Sequence, residues 1–563
     1  MPQQWIFPSL PGDQAAPAGF SRLLGVAPCL AELLVRRGAQ TPEEAERFLR
    51  PKLNTLSDPF LLPNLQPAAQ RILAAIDRKE PISLYGDYDV DGVTSLTLFA
   101  RVLSAYGLAP DLFLPQRIEE GYGLTREGID RCVNSFHPKL LIAVDCGTNS
   151  VEEIAQLKSS GIEVLVFDHH EVGPTLPDCP VVNPKLGQDF HYLCSAGIVF
   201  KACHGLLKLR PLPGFDLKEL LDIVALGSVA DIVPLIGENR LLVQKGLLQM
   251  ERTRWVGLKA LMVVAGVRAP IRPSHVGFQI GPRLNAAGRL GTAEDALNLL
   301  LSESAPDAQR LAASLDRQNK ERQEVQAHTV EEAEAMLAQE FDPARDAAIV
   351  LAKEGWHPGV LGIVAGRLMK NHHRPTVIIG FDEQGIGKGS GRSIEDFSLV
   401  EALAECEPGL LERFGGHEMA AGLTIKREHF EEFKRAFLAC ARTRLDDAAL
   451  RPRLHLDAEL DFSILDLEFL AQHDLLQPFG IGNHQPLFFA RGVNPAFEPR
   501  VLKEKHLSFT LRQNGSRCRA IYFDGARHPL PEPPWDVAFR VERNEYMGNV
   551  NVQMQIQAIR SAQ

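Results

Sequence analysis

The sequence predicts an α/β protein with an appended β-barrel: a parallel-sheet domain, a long connecting helix, a smaller α/β domain and a C-terminal barrel. Three observations carry this. Between residues 81 and 170, short apolar runs that end in acidic residues alternate with helix-like segments, the pattern of buried parallel strands and crossover helices. From Asp307 to Asp342 there are 36 residues with neither Gly nor Pro. In the last hundred residues, apolar and polar positions alternate with period two, as half-buried antiparallel strands do.

In chain order, an N-terminal segment (1–50) precedes the parallel-sheet domain (51–302). Its strands are expected at Ile82–Tyr85, Leu140–Val144 and Ile162–Phe167, and Gly161 suits the stop of a helix over Ser150–Ser160. The uninterrupted stretch within 303–342 permits a helix of about 54 Å. Its apolar positions Leu311, Leu315, Val325 and Val330 leave a polar middle, Gln318–Gln326, which favours a helix bridging two domains over a core helix. The smaller α/β domain (343–448) has strands at Ala347–Leu351 and Thr376–Gly380 around a helical Val360–Met369. In the barrel (449–563), Leu507/Phe509/Leu511, Trp535/Val537/Phe539/Val541 and Val550/Val552/Met554/Ile556/Ala558 point one way.

Composition narrows the function. With 563 residues, 45% hydrophobic and 23% charged, the chain is an ordinary multidomain globular protein. Its apolar runs are too short to cross a bilayer, and residues 1–12 lack a basic and then apolar leader, so a cytoplasmic location is expected. Nine cysteines without a C-x-x-C pair indicate neither a disulfide framework nor a thiolate zinc site. The net charge is −11, yet Arg500–Gln563 holds 10 Lys+Arg against 6 Asp+Glu, so a basic tail follows an acidic body.

Ligands of open α/β sheets bind beyond the carboxyl ends of the strands, so the acidic strand ends should converge. The first is Gly86-Asp87-Tyr88-Asp89-Val90-Asp91-Gly92. Three carboxylates this close repel, and a bound cation relieves that; read alone, a solvated acidic turn fits as well. An EF-hand loop does not fit, because the twelfth position from Asp87 is Leu98. Asp145-Cys146-Gly147 and Asp168-His169-His170 end the next two strands. Asp231 stands in the apolar Val229–Leu235, where either a metal or a helix-capping role would offset its charge. A second pair, Asn371-His372-His373-Arg374, has basic neighbours and no adjacent carboxylate and reads as structural. Together the carboxylates and imidazoles suit a pair of hard or borderline cations, Mn²⁺ or Mg²⁺, and such pairs promote phosphate-ester hydrolysis. Pro282–Arg289, Lys388-Gly389-Ser390-Gly391-Arg392-Ser393 and Gly415-Gly416-His417 offer Arg and small residues to an anionic substrate, although each alone could be a turn.

With these elements in this order, the chain resembles the DHH phosphoesterase superfamily, named after the motif that is Asp168-His169-His170 here, and within it the branch of single-stranded-DNA exonucleases. The likeness runs over residues 20–563. Its most specific parts are Tyr85–Gly92, Pro282–Arg289 and the C-terminal β-domain, which small relatives lack. The resemblance implies a DHH domain, a DHHA1-type domain carrying Gly415-Gly416-His417 and an OB-fold. It also implies processive 5′-to-3′ degradation of single-stranded DNA to 5′-mononucleotides in recombination and repair, by a monomer partnered with single-stranded-DNA-binding protein and a RecQ-type helicase. By motif, Asp89 and Asp91 would each hold one metal, Asp145 would bridge the two, and His169 and Asp231 would complete the second site. His170 would face the scissile phosphate. Arg289, Ser390, Arg392 and His417 would bind substrate phosphates, with Arg117 a further contact near the 5′ end.

One position departs from the family pattern. Small DHH pyrophosphatases place a His four residues before the first metal-binding Asp, where this chain has Tyr85, and Asp87 is the candidate substitute. Two rivals share the fold: a phosphodiesterase for oligoribonucleotides or cyclic dinucleotides, and a non-catalytic DNA-binding scaffold. The alternating basic region after Arg451 counts against the first, which needs no strand-tracking platform. The complete set of carboxylates and both histidines counts against the second.

Overall fold

The computed structural model describes residues 3–8, 19–116, 120–121, 123–290, 292–406, 409–527, 529–546 and 548–562. They divide into two compact units: Trp5–Met262 with Gly266–Gly281 and His455–Gln563, and Pro282–Leu454 with two short pieces, Met1–Gln4 and Val263–Ala265.

In the first unit, five parallel strands lie in the order Asp111–Phe113, Ile82–Tyr85, Leu140–Val144, Glu163–Phe167, Val181–Val182. Ile82–Tyr85 and Leu140–Val144 are fully buried, which explains their unbroken apolar character. The first strand sits between the second and third, so the chain leaves it in opposite directions on either side. The crevice at the carboxyl ends of Ile82–Tyr85 and Leu140–Val144 is therefore the sheet's switch point. Against the sheet lie the helices Val90–Ala105 and Ser195–Leu209, and on these packs Leu221–Ala230, apolar on all sides and buried from Leu221 to Ser228. Gly227 lets that helix approach, since a Cβ there would meet Ala196 and Thr94.

The barrel of this unit closes on itself. Phe488–Pro495 pairs with both Trp535–Tyr546 and His506–Gln513, and the ring is completed by Asn549–Ser561 and Ser516–Tyr522. Leu507, Phe509 and Leu511 point inward with Val537, Phe539 and Met554, as the period-two pattern requires. Arg512 pairs with Arg517 and Thr510 with Arg519, so these three arginines share the outer face. The barrel core also takes in Phe20, Leu30, Leu33, Leu34, Ala45 and Leu49. The segment 1–50, read as separate in the sequence, thus contributes helices to the barrel's core. Buried Arg240 ties the parts together, its guanidinium donating to the carbonyls of Phe48, Leu475, Leu476 and Gln477 at 2.7–3.0 Å.

The second unit holds the long helix, Ala305–Glu340, capped by Ser304. Its buried stripe runs through the middle of the helix: Asn319 and Arg322 are buried, and Arg322 donates to Asn319 and Gln326, both at 2.7 Å. The polar middle that favours a bridging helix thus buries part of one face, where its polar groups satisfy one another by i,i+3 and i,i+4 pairing. A five-stranded sheet follows, ordered Leu411–His417, Ala420–Lys426, Ile386–Arg392, Thr376–Phe381, Ile349–Glu354. The glycine-rich Lys388–Arg392 and Gly415–His417 are strands of this sheet, not turns.

Candidate metal centre

The acidic strand ends meet at the switch point. Asp89 caps the helix Val90–Ala105, accepting from the backbone N–H groups of Asp91 (2.9 Å) and Gly92 (3.1 Å). A Cβ at Gly92 would fall on the Asp87 carbonyl, so only glycine lets the loop fold back over the helix. Asp91 lies fully buried at the N-terminus of Ser195–Leu209, receiving the N–H groups of Ser195 (2.7 Å) and Ala196 (2.9 Å), an anion-binding arrangement supplied by the helix end. Asp145 adopts a left-handed φ of 63° and accepts from Ser195 Oγ at 2.9 Å. His169 Nε2 lies 3.4 Å from Asp145, 3.6 Å from Asp231 and 3.9 Å from Asp91.

Three groups of ligand-type atoms result, each with members within 4.8 Å of one another: Asp87, Asp89 and Asp145; Asp91, Cys194 and Asp231; Asp145, His169 and His170. Asp145 belongs to two of them. Asp231 ends the helix Leu221–Ala230, so it is not an N-terminal cap. Tyr85 is buried, stacks on Phe113 at 4.8 Å and donates to the Gly123 carbonyl, away from any ligand role.

Electrostatics calls for a cation here. Burial, with the charge of Asp89, raises the Asp91 carboxyl to about 6. Burial, with Asp91 and Asp89, raises Asp231 to about 9, and burial with the surrounding aspartates holds Asp145 well above the usual range. Asp231 Oδ2 is buried with no hydrogen-bond partner among the described residues. An oxygen-rich set completed by imidazole fits Mn²⁺ or Mg²⁺. His169, drawn down to about 4 by burial and by His170, is neutral and ready to ligate.

His170 is different. Burial pulls its pKa down, but the Asp168 carboxylate, 2.6 Å from Nδ1, outweighs that and holds it above the ordinary value. Asp168 is itself buried, yet its hydrogen bonds to His170 and Thr148 keep it ionised. It also accepts from the backbone N–H groups of His169 and His170, so it orients the pair. This role, and those of Ser195 and Ala196 under Asp91, escaped the sequence reading. An apolar helix start carries no signal beyond its small residues.

The other predicted residues lie in the second unit, apart from Arg117, which falls outside the described residues. Arg392 donates to Ser390 Oγ (3.1 Å) and the Gly391 carbonyl (2.7 Å). Both side chains face the helix Pro358–His372, where a Cβ at Gly362 would lie 2.8 Å from Arg392 and 3.0 Å from Ser390. Arg289 donates to the Gly359 carbonyl of the same helix at 2.8 Å. Across the strands, Arg392 pairs with Ala420 and Ala420 with His417, so Arg392 and exposed His417 share one row.

A buried parallel sheet with a carboxylate-rich metal centre at its switch point, and a separate glycine- and arginine-bearing sheet, define a metal-dependent phosphoesterase of the DHH type. Family models agree: the DHH family N-terminal domain matches residues 81–228, the DHHA1 domain 345–443 and the RecJ OB domain 456–558. The single-stranded-DNA-specific exonuclease RecJ of Bacillus subtilis is 38% identical over 91% of this chain, which spans 65% of that relative's length. That of Haemophilus influenzae is 34% identical, with 94% of this chain and 96% of the relative covered. The crystal structure of RecJ in complex with Mn²⁺ from Thermus thermophilus superposes with a TM-score of 0.85 at 32% identity, covering 100% of this chain and 80% of that one. The chain belongs to the RecJ family of single-stranded-DNA-specific exonucleases.

Proposed function

We propose that this chain degrades single-stranded DNA from its 5′ end to 5′-mononucleotides, using two divalent cations, Mn²⁺ or Mg²⁺, in recombination and repair. The observation that carries the reading is the meeting of Asp87, Asp89, Asp91, Asp145, His169 and Asp231 at one switch point, with Asp145 common to two ligand groups. Asp87 and Asp89 would hold one cation, Asp91, His169 and Asp231 the other, and Asp145 both. When bound, the cations would lower the pKa of water and neutralise charge on the attacking and leaving oxygens. The chain's own contribution is orientation. Ser195 Oγ fixes one oxygen of Asp145, the Ser195–Leu209 helix end fixes Asp91, and Asp168 fixes the His170 ring. His170, whose pKa the Asp168 carboxylate raises, would in its protonated form donate from Nε2 to a non-bridging oxygen of the scissile phosphate.

Arg289, Ser390, Arg392, His417 and Arg117 are proposed to bind substrate phosphates, and the outer face of the barrel to track the strand. Single-stranded-DNA-binding protein and a RecQ-type helicase are the proposed partners, with the chain acting as a cytoplasmic monomer. No helix among the described residues is long and apolar enough to cross a membrane.

The test is digestion of 5′-labelled single-stranded DNA with Mn²⁺, with EDTA, duplex and RNA controls. Immediate release of labelled mononucleotide from the DNA strand alone is expected. Stepwise shortening that retains the 5′ label, an RNA preference, or binding without cleavage would each contradict the reading.

A further inference from the structure

One residue of the centre has no place in the ligand set above. Cys194 is the residue before the helix Ser195–Leu209 and is wholly buried. Burial is ordinary for a cysteine, and Cys132 and Cys518 lie in apolar clusters as expected. Cys194 instead has its Sγ grouped with the carboxylate oxygens of Asp91 and Asp231, all within 4.8 Å of one another. Among the described residues it is the one cysteine in any such group. The placement is fixed by the backbone, because the next two N–H groups clamp Asp91. The thiol is hydrogen-bonded to Ser228 Oγ at 3.5 Å and to the Asp91 carboxylate. Asp231 supplies a buried oxygen with no hydrogen-bond partner among the described residues.

We propose that Cys194 is a further ligand of the cation position formed by Asp91 and Asp231, giving that position a high affinity for thiophilic divalent cations such as Zn²⁺ and Cd²⁺. The proposal rests on the reading of this centre as a metal site and goes beyond it. Hard cations take oxygen and imidazole, whereas Zn²⁺ and Cd²⁺ favour thiolate sulfur. The same position thus has two donor sets: Asp91, His169 and Asp231 for Mn²⁺ or Mg²⁺, and Asp91, Cys194 and Asp231 for a softer ion. Binding the softer ion breaks the S–H bond, releases that proton to solvent and forms one sulfur–metal bond, with no change in oxidation state. A thiophilic ion held this way would exclude Mn²⁺ from the position, making the enzyme sensitive to it.

The experiment uses the full chain, stripped of metal, as wild type and as Cys194→Ala and Cys194→Ser. Cd²⁺ is titrated while the ultraviolet sulfur-to-cadmium charge-transfer band is followed, and Mn²⁺ binding is read in parallel by electron paramagnetic resonance. A saturable band in the wild type that grows as Mn²⁺ binding at one position is lost, and that is missing from both variants, is expected. Cd²⁺ affinity should fall at least about tenfold in the variants while Mn²⁺ still binds. The same band in both variants, a Cd²⁺-loaded wild type that still takes up its full complement of Mn²⁺, or Cd²⁺ bound without a band would overturn the proposal. A wild type that binds no Mn²⁺ would instead overturn the metal centre itself.

Discussion

The chain carries the same dipeptide twice, and the two copies do opposite things. His169-His170 follows the buried strand Glu163–Phe167, at a switch point where Asp145, Asp231 and Asp91 surround His169 and Asp168 locks His170. His372-His373 ends the helix Pro358–His372. There His372 pairs with Glu334 at 2.9 Å, His373 takes the left-handed conformation of a helix stop, and Arg374 donates to carbonyls of Asp346, Pro343 and Leu450. Histidine chemistry is thus set by what the topology brings beside it. Four carboxylates with few counter-charges make a cation site, and one carboxylate on a helix makes a tether.

The comparison can be broken at its strongest point. Asp145→Ala removes the one carboxylate common to two ligand groups, so hydrolysis should fall at least about a thousandfold while single-stranded DNA is still bound in a filter or fluorescence assay. An active variant would leave the centre without its shared ligand. Next in size, His169→Ala should cost about a hundredfold in rate. His372→Ala should leave the rate unchanged and lower stability by about 1 kcal/mol in a denaturant melt.

A pH series sharpens the contrast further. In the metal-free fold Asp91 titrates at about 6 and Asp231 at about 9, whereas unfolded carboxylates titrate near 4. Between those values the folded chain binds more protons than the unfolded one, so stability without metal should fall as pH rises. Mn²⁺ competes with those protons, and its stabilisation in thermal melts should be larger at pH 8 than at pH 6. Equal shifts at both values would contradict the placement of the protons. The smallest effect is expected at the barrel. Replacing Arg512, Arg517 and Arg519 by Gln should weaken binding of long strands, reduce the salt slope by about 0.7 for each phosphate no longer neutralised, and spare cleavage of short ones.

Much of this was legible in the sequence because parallel strands leave unbroken apolar runs and metal centres leave carboxylates at their ends. Asp87, Asp89, Asp91, Asp145 and the His169-His170 pair were readable for that reason. The period-two residues from Leu507 to Ala558 marked the barrel in the same way. Three features of the fold were not legible, in addition to the supporting roles of Asp168, Ser195 and Ala196 at the centre. The helices Pro28–Arg36 and Pro42–Leu49 join the barrel core through contacts more than 400 residues distant in sequence, as in Arg37 to Asn483, and no local pattern encodes such a partner. Glycine-rich Lys388–Arg392 lacks the side chains that mark a strand, yet its neighbours Thr376–Phe381 and Ala420–Lys426 impose one. The burial of Asn319 and Arg322 within the polar middle of the long helix was hidden because sequence shows polarity but not mutual pairing.

The most direct measurement is the number of Mn²⁺ ions bound per chain at saturation, by equilibrium dialysis or electron paramagnetic resonance, for the wild type and Asp145→Ala. Two ions in the wild type, with binding at both positions weakened in the variant, is the expected result. A stoichiometry that the substitution leaves unchanged in number and affinity would contradict the centre described above.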